Sequence, residues 1–204
     1  MKLNLGCGND IREGYVNVDF RKTHPSVLQV DLSKFPWPFE NDSVDEILML
    51  DFLEHFPYAQ TKRVLLECHR ILRDNRPEEG LDMSPGTGLV IQVPDGRHLT
   101  QALGQVGRYL CNRCGGKMFG LEQPNWTELC PDCGQAADDV SDAAMKRLYG
   151  GQDYPGNFHF TCFTNDSLAN IASECGLHYL RSEDAENQYK NWNFRSVFFK
   201  GDIW

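Results

Sequence analysis

At 204 residues, 41% hydrophobic and 24% charged, the chain has the size and composition of one globular domain, with at most a small appendage. Its net charge of −9 argues against a broad nucleic-acid footprint, and no apolar run approaches the roughly 20 residues that cross a bilayer. The N-terminus enters a strand directly without a signal-peptide layout, and four of the eight cysteines stand in metal-ligand spacing, so a reducing, cytoplasmic setting is expected.

In chain order, Lys2 to Leu5 and Tyr15 to Asp19 read as short buried strands, and Val27 to Val30 as a weaker third. Val44 to Leu50 is a stronger strand, introduced by the turn-like Glu40-Asn41-Asp42-Ser43. From Tyr58 to Leu72, Val64, Leu65, Cys68, Ile71 and Leu72 recur at helical spacing until Asp74 to Pro77 stop the helix. Leu89 to Val93 is a continuous apolar strand closed by Pro94 and Asp95. Beyond Thr100 the periodicity breaks, and residues 101–135 read as an insertion that divides the main domain into 1–100 and 136–204. Asp138 to Tyr149 is predicted helical. A second C-terminal helix starts at the cap Thr164 and ends at Gly176, and Leu177–Arg181 and Arg195–Lys200 close the chain as strands. The alternation implies a mostly parallel sheet with cover on both faces.

The most informative stretch is Leu3-Asn4-Leu5-Gly6-Cys7-Gly8-Asn9-Asp10, followed by the lone acid Asp19 at the end of the second strand. Glycines let the backbone approach a ligand, and an acid so placed can accept both hydroxyls of a ribose. The plainer reading is a turn in some other α/β domain. Asp31-Leu32 ends the third strand, and the fourth runs into Leu50-Asp51-Phe52-Leu53-Glu54-His55. With these companions the sequence resembles the class I S-adenosylmethionine-dependent methyltransferases over residues 1 to about 100 and again from about Tyr149. It is also similar to small predicted methyltransferases that carry the segment seen here as Tyr149-Gly150-Gly151-Gln152 and Gly156-Asn157-Phe158-His159.

The resemblance implies an α/β, Rossmann-like methyltransferase sheet, mostly parallel with an antiparallel C-terminal strand, that binds S-adenosylmethionine. It implies that Leu5, Gly6, Cys7 and Gly8 pass under the cofactor and that Asp19 holds the ribose. Asp31 and Leu32 would meet the adenine, and Leu50 and Asp51 would border the methionine part. One departure stands out. Only the nine residues Gly6 to Gly14 separate the first two strands, where a parallel crossover takes about a dozen or more. The N-terminal helices are therefore expected to be trimmed to turns.

Methyl transfer from a sulfonium asks the protein mainly to align the acceptor and exclude water; a base is needed only where the acceptor holds its proton tightly. His159, in a loop before the helix at Thr164, is the candidate base, with packing of that loop as the alternative. The Glu54-His55 pair reads first as structural, and His98, Asp153 and Tyr154 as lesser pocket candidates.

Cys111-x-x-Cys114 and Cys130-x-x-Cys133, fifteen residues apart and each followed by glycine, match a four-cysteine zinc ribbon. Four thiolates leave no open position, so that zinc would be structural. Arg108, Arg113 and Lys117 balance Glu122, Glu128 and Asp132, which gives the ribbon no phosphate-seeking charge, and Phe119 and Trp126 read as its small core. The resulting expectation is an S-adenosylmethionine-dependent methyltransferase of a small-molecule or sugar-containing acceptor, without nucleic-acid or membrane partners. The alternatives are a nucleic-acid or protein methyltransferase that recognises its target through the ribbon, and a non-catalytic cofactor-binding module. Oligomeric state is left open.

Overall fold

The computed structural model describes residues 1–78, 86–104, 108–111, 113–114, 117–120, 129–152, 157–185 and 192–202. The main sheet is built from β1 (Lys2–Leu5), β2 (Val16–Asp19), β3 (Leu28–Gln29), β4 (Glu46–Leu50) and β5 (Gly88–Pro94), all parallel. A small sheet follows, of β6 (Arg108–Cys111), β7 (Lys117–Gly120) and β8 (Asp138–Asp139). The last two strands, β9 (Leu177–Ala185) and β10 (Asn193–Lys200), return to the main sheet as an antiparallel pair. The strand order is β3-β2-β1-β4-β5-β10-β9, with β10 antiparallel to β5. The order reverses at β1, so the C-terminal ends of β1 and β4 open a crevice where a ligand can enter.

The expected short crossover holds: no helix lies between β1 and β2, β2 and β3, or β3 and β4. Two buried asparagines take over the work of the first missing helix. Asn4 Nδ2 donates to the Asp10 carbonyl at 2.7 Å and to Asn17 Oδ1 at 3.0 Å. Asn17 Oδ1 also accepts from Arg12 N–H at 2.9 Å, and Asn17 Nδ2 donates to the Arg12 carbonyl at 3.0 Å. Side-chain amides thus satisfy loop backbone that a helix would have satisfied internally.

The helices are α1 (Tyr58–Ile71), α2 (Gly96–Leu103), α3 (Val140–Tyr149) and α4 (Asn165–Ser173). Val64, Leu65, Cys68 and Ile71 of α1, with Leu168, Ile171 and Ala172 of α4, share one core with Leu3, Leu5, Ile47, Met49, Leu89 and Ile91. Because strand side chains alternate, the opposite face carries Lys2, Asn4, Asn17, Glu46, Gln92 and Arg195. The same face also carries Leu48, Val90 and Val197, and Arg147 of α3 reaches it at Asn193.

Helix α2, unforeseen in the sequence, is capped by Asp95, whose side chain accepts from Arg97 N–H. Its Leu99 and Ala102 pack with Val140, Ala143, Ala144 and Trp192 in a second, smaller core. Helix α4 has the predicted start: Thr164 and Ser167 form a reciprocal capping box.

Candidate functional site

A cleft of about 500 Å³ opens at the C-terminal ends of β1, β2 and β4. That volume lies within the range of small-molecule sites. Of the nine residues expected at a cofactor, Gly6, Gly8, Asp19, Asp31, Leu32 and Asp51 line it. Leu5 and Cys7 are buried, and Leu50 is half-buried; none of these three is among the lining residues. Leu5 points into the core beneath α1 and α4. Burial pushes the Cys7 thiol up to about 11, which makes it an inert filler.

Gly6 has φ +66°, and a Cβ there would stand 2.0 Å from the Phe52 ring. Gly8, at φ +51°, faces open space, so only its backbone conformation demands glycine. The loop is pinned to the acid. Asp19 Oδ2 accepts from Gly8 N–H at 2.9 Å and Oδ1 from Arg21 N–H at 2.8 Å, with the residue 5% exposed. A carboxylate has about four acceptor directions, so Asp19 keeps capacity on the cleft side. Asp31 is exposed at the rim; hydrogen bonds from Ser33, and the Lys34 ammonium at 3.2 Å, hold its carboxyl below the usual range.

Asp51 follows β4 at φ +53° and is held from the far side of the crevice. Its Oδ1 accepts from Asn193 Nδ2 at 2.6 Å and Arg147 Nη2 at 3.0 Å, which ties β4 to β10 and α3. Phe20, Arg21, Phe52 and Gln60, to which sequence reasoning gave no role, also line the cleft, as does His55, which it read first as structural. Phe20 and Arg21 directly follow the strand-ending acid, a positional signal that was there to be used.

Beside the cleft, a 3-10 turn, Leu53–His55, meets the segment 157–161. The Glu54 carbonyl accepts from Phe160 N–H at 2.8 Å, and Tyr149 O accepts from His159 N–H at 3.0 Å. Gly150 is required for this meeting, because a Cβ there would lie 2.3 Å from the Asn157 carbonyl oxygen. His55 lines the cleft, whereas His159 stands behind it, the two rings nearly perpendicular with centroids 4.8 Å apart. Burial and the neighbouring His55 bring His159 down to about 4, and burial also lowers His55. Glu54 is fully buried, and desolvation, aided by the charge of Asp51, pushes its carboxyl up to about 8. His98 sits elsewhere, 3.4 Å from the buried Asp95; Asp153, Tyr154, Gly156 and Trp126 lie outside the described residues.

Cys111, Cys114, Cys130 and Cys133 converge, their sulfurs all within 4.8 Å of one another. Cys111 and Cys133 sulfurs are 3.5 Å apart and those of Cys114 and Cys130 are 3.8 Å apart. Zinc–sulfur bonds of about 2.3 Å give tetrahedral edges of about 3.8 Å, so the donor set fits zinc. Cys114 N–H donates to Cys111 Sγ at 3.4 Å, the knuckle hydrogen bond expected of a Cys-x-x-Cys turn.

The sheet order, the reversed final strand and the glycine-acid cleft define the fold of the class I S-adenosylmethionine-dependent methyltransferases. Residues 3–75 match the family model described as a methyltransferase domain. A methyltransferase from Archaeoglobus fulgidus, described as S-adenosylmethionine dependent, superposes with a TM-score of 0.56 at 11% identity, over 98% of this chain and 85% of that one. The complex of the Haloferax volcanii Trm112 methyltransferase activator with a methyltransferase described as putative gives 0.55 at 12% identity, over 98% and 82%. The Burkholderia thailandensis 1,6-didemethyltoxoflavin-N1-methyltransferase, with 1,6-didemethyltoxoflavin and S-adenosylhomocysteine bound, gives 0.54 at 12% identity, over 98% and 71%. No curated protein matches the chain. No described helix is long and apolar enough to cross a membrane.

Proposed function

We propose that the protein is an S-adenosylmethionine-dependent methyltransferase acting on a small-molecule or sugar-containing acceptor. The observation that carries this reading is the cleft at the reversal of strand order, where Gly6 and Gly8 clear the floor and Asp19 is pinned with acceptor capacity to spare. In the proposal Asp19 accepts the ribose hydroxyls, Leu32 packs on the adenine, and Asp31 meets its amino group. Asp51, already oriented by Arg147 and Asn193, faces the methionine ammonium. Leu5, Cys7 and Leu50 support the loop and strand ends from beneath.

The bound cofactor supplies a methyl group already activated on a sulfonium, so the chain's own residues have to orient the acceptor and dispose of its proton. His159, the base suggested by the sequence, stands one layer from the cleft and has a pKa of about 4, which makes it a feeble base near neutral pH. The proposal therefore assigns the acceptor side to the Glu54–His55–His159 cluster as a unit, with His55 as the member at the cleft wall.

The four-cysteine group is proposed to hold a structural zinc in an insertion spanning 101–135, with Asp138–Asp139 lending it a third strand from the flank. Thiolate ligation of this kind suits a reducing compartment, and we place the protein in the cytoplasm. Calorimetry with S-adenosylmethionine and S-adenosylhomocysteine tests the main reading. Saturable binding of both is expected, and the absence of any binding at millimolar ligand overturns it.

A further inference from the structure

The Glu54–His55–His159 cluster has a feature that methyl transfer does not require. One potential ligand atom from each of the three side chains lies within 4.8 Å of the other two. Glu54 is 0% exposed, and neither of its carboxylate oxygens has a hydrogen-bond partner among the described residues. An unpartnered buried carboxyl group costs on the order of 1–3 kcal/mol, more if charged, so something is expected to satisfy it.

The histidines narrow what that can be. His55 Nδ1 lies 3.0 Å from the Phe158 carbonyl oxygen and His159 Nδ1 lies 2.7 Å from the Arg147 carbonyl oxygen. A carbonyl oxygen can only accept, so each Nδ1 carries the proton and donates it. Each neutral ring is then left with a bare lone pair on Nε2. His159 Nε2 is 4.0 Å from Glu54 Oε1, too far for a direct hydrogen bond. The His159 Nε2 lone pair and the Glu54 carboxylate thus face each other with no donor between them, and His55 brings a third potential ligand atom within 4.8 Å. Backbone carbonyls that fix the far nitrogen are the usual supporting partners of metal-binding histidines.

We propose that Glu54, His55 and His159 form a second metal site, distinct from the four cysteines, for a divalent transition ion that accepts nitrogen and oxygen ligands. Two histidines and one carboxylate are a donor set suited to zinc, iron(II), manganese or cobalt, with coordination positions left for exogenous oxygens. Bonds of about 2.1 Å bring tetrahedral ligand atoms to about 3.4 Å apart, so the 4.0 Å pair needs to close only slightly. The perpendicular rings, at 83°, allow two Nε2 atoms to approach one ion from different directions. The Asp51 carboxylate adds negative charge nearby, and the Arg147 guanidinium is engaged by Asp51 and Asn193. Since His55 also lines the cleft, the open positions of the ion lie toward it. Resting on the methyltransferase reading, the consequence is an acceptor that presents oxygen atoms to the ion, such as a hydroxyl beside a second oxygen.

Manganese(II) and cobalt(II) are the probes, because they separate this site from the thiolates. The full chain, its cysteines loaded with zinc, is titrated with manganese(II) by electron paramagnetic resonance and with cobalt(II) by visible absorption. One manganese per chain is expected, together with a cobalt spectrum lacking the intense thiolate-to-metal bands. Glu54→Gln, which keeps the shape, and His55→Ala, at a partly exposed position, should each weaken manganese binding at least tenfold while the zinc content of the cysteines stays unchanged. Failure of wild-type protein to bind manganese or cobalt outside the thiolates overturns the proposal in favour of an ion-free, protonated Glu54. So does binding indifferent to both substitutions. S-adenosylhomocysteine calorimetry on the same samples is independent: ion binding without it rejects the methyltransferase reading alone, and its binding without an ion rejects the metal site alone.

Discussion

Asp19 is where one side chain organises the whole mouth of the cleft. Its two oxygens hold the Gly8 and Arg21 amides at 2.9 and 2.8 Å, so the glycine loop and the start of the next loop share one anchor. Asp19→Ala should weaken S-adenosylhomocysteine binding by about 10- to 150-fold, the loss of charge-assisted hydrogen bonds worth about 1.5–3 kcal/mol; an unchanged Kd in calorimetry would remove the ribose assignment. Gly6→Ala tests the floor. The new methyl carbon would overlap Phe52, and its φ of +66° costs a non-glycine residue about 1–2 kcal/mol. A lower Tm together with lost ligand binding is expected, whereas Gly14→Ala, whose Cβ meets nothing within 4 Å, should affect Tm only. The sequence disclosed these positions because glycine and a strand-ending acid are rare, position-specific choices. It did not disclose that Leu5 faces the helices instead of the ligand, which depends on strand alternation from Leu3 and on which face the helices take. Nor did it show that His55 rather than His159 reaches the cleft wall, since a contact between residues 55 and 159 is set by tertiary packing.

At the scale of elements, α1 acts as a clamp for the irregular chain between β3 and β4. Glu67 on α1 accepts from Trp37 N–H at 2.8 Å and from Arg70 at 2.9 and 2.7 Å. Arg70 in turn donates to the carbonyls of Phe39 at 2.8 Å and Trp37 at 3.1 Å. The loop thereby buries Trp37 and Phe39 in the main core without any helix of its own. Hydrogen bonding from Arg70 holds the Glu67 carboxyl below its usual value. A carboxyl group depressed in the folded state stabilises above its unfolded pKa, and the contribution fades as pH falls through the folded value. Thermal melts of Glu67→Gln should therefore show a lower Tm than wild type at pH 7 and a gap that closes below about pH 4; a constant gap across pH would assign the effect to shape alone. Strands β1, β2, β4 and β5 and helices α1 and α4 were legible because periodicity and caps agreed there. Helix α2 was hidden despite its Asp95 cap and the spacing of Leu99, Ala102 and Leu103, because Pro94 and Asp95 read only as the stop of the strand before it. The polar face of the sheet was hidden too, since Asn4 and Asn17 reveal their purpose only once the loop they hold is folded.

At the scale of the molecule, two cores of unequal size carry different burdens. The larger one joins the main sheet to α1 and α4, and the smaller joins α2 to α3 beneath the small sheet. Helix α3 couples them, since Arg147 near its end reaches Asp51 and Asn193 on the main sheet at 3.0 and 2.9 Å. The cysteine sheet pairs β6 with β8 immediately before α3, so disorder there is transmitted to α3 and through Arg147 to Asp51. A segment this small has too little apolar area to order itself, and metal ligation supplies what packing cannot. Metal analysis should thus find one zinc bound by sulfur per chain, and Cys130→Ser should release it. Hydrogen exchange should then rise in β6, β8 and α3 while β1, β4 and β5 stay protected, and S-adenosylhomocysteine affinity should fall modestly as Asp51 loses its orientation. Exchange that rose equally in β1 and β4 would show that the two cores unfold as one and that the zinc supports the whole fold.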